Sequence, residues 1–116
     1  MKKLEKYVYQ VKADESVTFQ VTPSINLGKL YTAALDKIKL PKPADGIYRF
    51  PVTFAVGDTH FFAIEFGFTG APAGAKYQIT INGNSPDNSG PFNTSVVNGD
   101  PLLDKQFKFK VVAAPV

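Results

Sequence analysis

Between Thr59 and Phe68 the chain alternates side to side: His60, Phe62, Ile64, Phe66 and Phe68 share one face of an extended backbone, and Thr59, Phe61, Ala63, Glu65 and Gly67 the other. A repeat of two belongs to a β-strand, whose successive side chains point to opposite faces. The alternation returns elsewhere. Residues 46–56 set Tyr48, Phe50, Val52, Phe54 and Val56 against Arg49, Pro51, Thr53 and Ala55. Residues 75–82 set Tyr77, Ile79 and Ile81 against Lys76, Gln78, Thr80 and Asn82. In 17–22 the inward set is Val17, Phe19 and Val21, and in 105–112 it is Phe107, Phe109 and Val111, with Lys105, Lys108 and Lys110 mostly outward. Clean alternation leaves one face of each strand wet, which favours antiparallel sheets over parallel ones buried on both faces.

Two further segments read as strands: 5–12, with Tyr7, Tyr9 and Val11 on one face, and the weaker 92–98. Turn formers separate the strands, at Asp14-Glu15-Ser16, Gly57-Asp58, Gly70–Gly74, 83–91 and Asn98–Pro101. The short turn between 5–12 and 17–22 predicts a hairpin. Pro51 cannot donate to a ladder, which predicts an edge or a bulge there. One stretch changes period. Leu27, Leu30, Tyr31, Ala34, Leu35 and Ile38 stand at helical spacing, with Ser24 or Asn26 to cap the start and Pro41 and Pro43 to stop it. The expected fold is therefore mainly β: an antiparallel two-sheet β-sandwich of about seven strands, over residues 1–116 as a single domain, with one short crossover helix near residues 26–38. A partly open barrel is the competing architecture. The stretch from Tyr77 to Gly83 resembles the late strand of many immunoglobulin-like and C2-like sandwiches. That resemblance implies general architecture and brings no site with it.

A chain of 116 residues with 10 Phe and 5 Tyr has the apolar area to fill a core between two sheets. It has no cysteine, which excludes disulfides, thiolate metal sites and cysteine nucleophiles. The net charge of +3 is carried by twelve lysines and one arginine. Sequence-specific nucleic-acid recognition favours the planar fork of arginine, so this balance argues against it. No apolar run is long enough for a membrane helix. The start, Met1-Lys2-Lys3-Leu4-Glu5-Lys6, has the charges of a secretory leader without its apolar stretch. The expectation is a cytoplasmic protein, the alternative a secreted or periplasmic one whose leader has been removed.

No phosphate loop, dinucleotide fingerprint or nucleophile elbow is present. His60 is the one histidine. As a general base it would need a carboxylate, Asp58 or Glu65, and a nucleophile, which nothing identifies. Its simpler role is a strand-end residue hydrogen-bonded to a loop carbonyl. Glu65 reads as an outward residue paired across strands with Lys76 or Arg49. Asn84, Asp87, Asn98 and Asp100, with Asn82 and Asn88, would suit calcium if their two loops converged, though the same residue types fill ordinary turns. Phe61 points away from the other phenylalanines and would start an apolar patch beside Ala63, Tyr48 or Val97 unless the helix covers it. The lysines of 105–110 are best read as guards of an edge strand. The function these readings support is a non-catalytic binding or interaction module for a protein or carbohydrate, with no cofactor. Its candidate contacts are Tyr48, Phe61, Asn84, Asp87, Phe92 and Asn93. The alternatives are a structural subunit of a homo-oligomer, motivated by the excess of aromatics and by the apolar helix stripe, and a small enzyme using His60 with a nearby carboxylate.

Overall fold

The computed structural model describes residues 1–24, 30–50 and 54–113. Their regular structure is ten strands: β1 (Lys2–Glu5), β2 (Val8–Lys12), β3 (Thr18–Pro23), β4 (Tyr31–Leu35), β5 (Ile38–Leu40), β6 (Ile47–Arg49), β7 (Thr59–Phe66), β8 (Lys76–Asn82), β9 (Phe92–Val97) and β10 (Asp104–Val112). One sheet has six strands in the order β1-β2-β10-β7-β4-β5, the other four in the order β6-β3-β8-β9. Every pairing is antiparallel except β2 with β10, which runs parallel and places Tyr9 beside Phe109 and Val11 beside Val111. The expectation of a wholly antiparallel arrangement fails at this one pair, which joins a strand near the start of the chain to its last strand.

The inward faces agree with the alternation. Phe19, Phe62, Tyr77, Ile79, Ile81, Phe107 and Phe109 are fully buried. The sheets meet through aromatic rings: Phe19 of β3 lies 4.2 Å from Phe62 of β7 and 4.9 Å from Phe107 of β10, centroid to centroid. Edge-on and tilted ring pairs of this kind contribute beyond the area they bury.

Three expectations are corrected. The first is the helix: among the described residues there is none, and hence none long and apolar enough to cross a membrane. Residues 26–29 lie outside the described residues, while 31–40 form the β4–β5 hairpin. Leu35 pairs with Ile38 across a two-residue turn in which Asp36 and Lys37 both have positive φ, 50° and 68°. That is a type I′ turn, whose twist matches the flanking strands. The buried side chains, Tyr31 and Ala33, follow a period of two, and Ile38 is 70% exposed. The helical spacing of leucines was a coincidence that strand pairing with β7 overrode.

The second is the hairpin between 5–12 and 17–22. The segment 5–12 is not one strand: Tyr7, at φ 63°, turns the chain between β1 and β2. β2 and β3 lie in different sheets. Ala13 still donates to Val112 of the six-stranded sheet, and Phe50 donates to Val17 of the four-stranded one, so the chain crosses between layers over 13–17.

The third is the long strand 46–56. Among its described residues only Ile47–Arg49 pairs, with β3. By Gly57 the chain bonds Val111 of the other sheet. This too is a crossing. Phe50 and Phe54 are buried along it, Val56 is 60% exposed, and residues 51–53, Pro51 and Val52 included, lie outside the described residues.

Candidate functional site

The loop and surface residues singled out from the sequence do not form one site. Tyr48 is 4% exposed, its ring edge-on to Tyr31 and Phe62. Burial, with Tyr31 adding to it, pushes its hydroxyl up to about 12. It is a core residue and offers no surface platform. Phe92 is half-buried against Tyr9 at 5.3 Å, and the Asn93 side-chain oxygen accepts from Thr80 Oγ1 at 2.8 Å. Asn84 accepts from the Ser16 amide, and Asp87 accepts from Ser85 Oγ and pairs with Lys2 and Lys12 at 3.5 and 3.6 Å. Each of these groups is already engaged in holding loops together.

The two loops proposed for calcium lie at opposite ends of the β8–β9 hairpin. Ile81 pairs with Phe92 at one end and Lys76 with Val97 at the other. The span between is that of a six-residue strand, about 20 Å at the usual rise. Asn98 donates to the Ala71 and Pro72 carbonyls and so ties its turn to the 70–74 loop, while Asp100 accepts from the Val97 amide and closes its own turn. Asn84 and Asp87 are not brought to Asn98 and Asp100, and no group of three or more ligand-type residues forms among the described residues.

What the fold does assemble near Asn84 is a buried ion pair. The Met1 α-ammonium lies 2.6 Å from Glu15 Oε2, both ends of the pair shielded from solvent. Glu15 also accepts from the Lys12 and Ser85 amides. Burial pushes its carboxyl up, but the hydrogen bonds from the ammonium and the two amides, with the attraction of the ammonium charge, outweigh burial and hold it below the ordinary value. Gly83 is required here: a Cβ on it would stand 1.8 Å from Glu15 Oε2. The turn assignment of Asp14-Glu15-Ser16 could not show this, because the partners come from residues 1 and 85.

His60 finds a carboxylate other than the two considered from the sequence, Asp58 and Glu65. Its Nδ1 lies 2.6 Å from Asp36 Oδ2, and its ring stacks on Phe54 at 3.9 Å. An ionised carboxylate can only accept, so Nδ1 carries the proton of this bond. Nε2 is buried without a hydrogen bond, 3.7 Å from Asp58 Oδ2. Asp36 Oδ1 accepts from the Phe61 amide, and the Asp36 amide donates to the Phe61 carbonyl. Burial raises the Asp36 carboxyl, and the bonds from His60 and Phe61 more than offset that, leaving it below its usual value. Glu65 takes no part. It stands opposite Thr32 and Asp104, while Arg49, in the other sheet, pairs with Asp45 at 2.9 Å.

The same contacts present Phe61 on the outer face of the six-stranded sheet, 39% exposed. Tyr48 and Val97 belong to the other sheet, whereas Ala63 lies beside Phe61 as expected. Beside it, Lys39, Ala34, Ala63 and Gln106 align across β5, β4, β7 and β10. The two alanines lower the surface between longer side chains. Depressions of about 410 Å³, walled by Phe61, Asp36 and Lys37, and about 480 Å³, reaching Lys39 and Glu65, share Ala63 and Gln106 and so are continuous. Lys108 Nζ lies 5.9 Å from the Phe61 ring. Of the six side chains expected to bind, only Phe61 lines this groove. Ala34, Asp36, Lys39 and Gln106 were missed, and their approach depends on a pairing of β4, β7 and β10 that no local pattern carries.

The chain matches no protein family model, no curated protein and no solved structure.

Proposed function

We propose that this chain is a non-catalytic carbohydrate-binding module. In this reading the two sheets are the layers of a β-sandwich, immunoglobulin- or C2-like in general architecture. The ligand lies in the groove on the outer face of the six-stranded sheet. The observation that carries the reading is Phe61, a half-exposed aromatic ring at the wall of an alanine-floored groove. A sugar ring has an apolar C–H face that packs on an aromatic ring. Its hydroxyls pair with amides and carboxylates, which Gln106 and Asp36 supply beside Phe61. Small-molecule sites commonly combine such an apolar wall with a few convergent polar groups. His60 supports a binding role over a catalytic one, since Nδ1 is committed to Asp36 and Nε2 is shielded from the groove. The homo-oligomer reading loses one of its two motives, because the stripe of 26–38 is no helix among the described residues.

Affinity electrophoresis through gels containing soluble polysaccharides tests this directly. At least one polysaccharide should retard the protein, and Phe61→Ala should weaken that retardation about tenfold or more, as loss of a central aromatic contact does. The melting temperature should hardly change. Retardation that survives Phe61→Ala would move the site elsewhere, and no retardation by any polysaccharide would remove the reading.

A further inference from the structure

We infer that the polysaccharide taken by this face is an acidic one, carrying carboxylates or sulfates along its length. The inference rests on the binding reading above and adds the class of ligand.

The outer face of the six-stranded sheet is electrically lopsided. Lys108 stands opposite Phe61 on one side and Val8 on the other. In the next outward row, Lys110 of β10, Gln10 of β2 and Lys2 of β1 align across three strands. Lys12 follows two residues beyond Gln10 on β2. Lys2 and Lys12 share Asp87, while Lys108 and Lys110 meet no carboxylate of the described residues within ion-pair distance. Glu5 and Asp58 lie at the margins of the patch. At the far end of the face, beyond the alanine floor, Glu65 sits opposite Asp104, with Lys39 and Lys105 lining the same depression, and next to Phe61 the Asp36 carboxylate is accompanied by Lys37. A neutral chain would find no reason in this pattern to run either way. A polyanion lying over Phe61 is drawn towards Lys108, Lys110 and Lys2 and turned away from Glu65 and Asp104.

The spacing suits a repeating polymer. Alternate residues along a strand are about 7 Å apart and alternate strands about 10 Å apart, so Lys108, Lys110 and Lys2 present ammonium groups at intervals comparable to those between charges on a glycan chain. Guarding an edge accounts for Lys2, on the edge strand β1, but not for Lys108 and Lys110, because β10 lies inside the sheet between β2 and β7. Nucleic acid fits less well. The cations are lysines, point charges without the planar fork that grips phosphate. Phe61 is the one aromatic side chain among the exposed large hydrophobics of the described residues, where a single strand needs a succession of stacking platforms.

The test uses the intact chain and three probes: polygalacturonate, neutral dextran and oligo-dT. Polygalacturonate should bind at least tenfold more tightly than dextran, and its affinity should fall steeply with added salt as counterions are released on binding. Lys108→Ala with Lys110→Ala should weaken it by about tenfold or more. Lys76→Ala, on the four-stranded sheet, should leave it unchanged. Circular dichroism confirms that each variant is folded. Equal affinity for dextran, still lost in Phe61→Ala, would overturn the acidic preference and leave the carbohydrate site standing. No polysaccharide binding at all would remove both. Tighter binding of oligo-dT than of polygalacturonate, or an equal loss in Lys76→Ala, would overturn the inference in favour of nucleic acid or of diffuse charge.

Discussion

Glu15 is 2% exposed and holds a charge in the interior only because three donors surround it. Removing one partner of a buried pair leaves the other uncompensated, so Glu15→Gln should cost about 3 kcal/mol near neutral pH, measured by urea unfolding. The pH dependence has a definite sign. The folded-state pKa of Glu15 is depressed below its ordinary value of 4.5, so its contribution is complete above that value and disappears as pH falls through the folded one. The stability gap between the two proteins should therefore close below about pH 4.5. Tyr48 gives the opposite expectation. Its hydroxyl is buried with no hydrogen-bond partner among the described residues, and an unsatisfied buried group costs on the order of 1 kcal/mol or more. Tyr48→Phe should leave stability unchanged or raise it, and a clear loss on thermal unfolding would show that the hydroxyl has a partner. Neither residue announced its state. Glu15 sat among turn formers, and Tyr48 was correctly given an inward parity yet was also considered for the surface.

At the level of elements, the β4–β5 hairpin decides what the groove contains. Its type I′ turn puts Lys37 at φ 68°, a region in which a side chain is strained and glycine is not. The strain is held by Asp36, whose backbone and carboxylate both bond the Phe61 backbone and whose other oxygen takes His60 Nδ1. Lys37→Gly creates the Asp-Gly pair that such turns prefer and should raise stability by about 0.5–1 kcal/mol, visible as a higher denaturation midpoint. A loss would mean that the Lys37 side chain makes contacts that outweigh the backbone strain. The hairpin was hidden because 27–38 satisfies a helical period by count. Periodicity reports which positions are apolar. It cannot report that Tyr31 and Ala33 pair with Phe66 and Ile64 thirty residues on, which is what makes the segment extended.

For the whole molecule, the layers are joined by rings. Phe62 of β7 meets Phe19 at 4.2 Å, Phe50 at 5.1 Å and Tyr48 at 5.5 Å, all from β3, β6 or the residue after β6. Phe62→Ala should cost about 3–5 kcal/mol, because the rigid neighbours cannot collapse into the space. Equilibrium unfolding should register the loss as one cooperative transition; a variant that melts one sheet first would show that the layers are less coupled than their contacts imply. The alternation in the amino-acid sequence by itself determined that the chain is mainly β and which face of β3, β7, β8 and β10 turns inward, because a strand's period is set by the backbone and is local. It located Phe61 on an outward face for the same reason. Only the tertiary structure decided that β2 and β3 part into different sheets, that β2 runs parallel to β10, and that Asp36 reaches His60 and Met1 reaches Glu15. Backbone hydrogen-bonding groups are the same at every residue, so pairing is chosen by how the whole set of apolar faces closes over one core. The groove beside Phe61 is a product of that choice, assembled from strands that are strangers in the sequence.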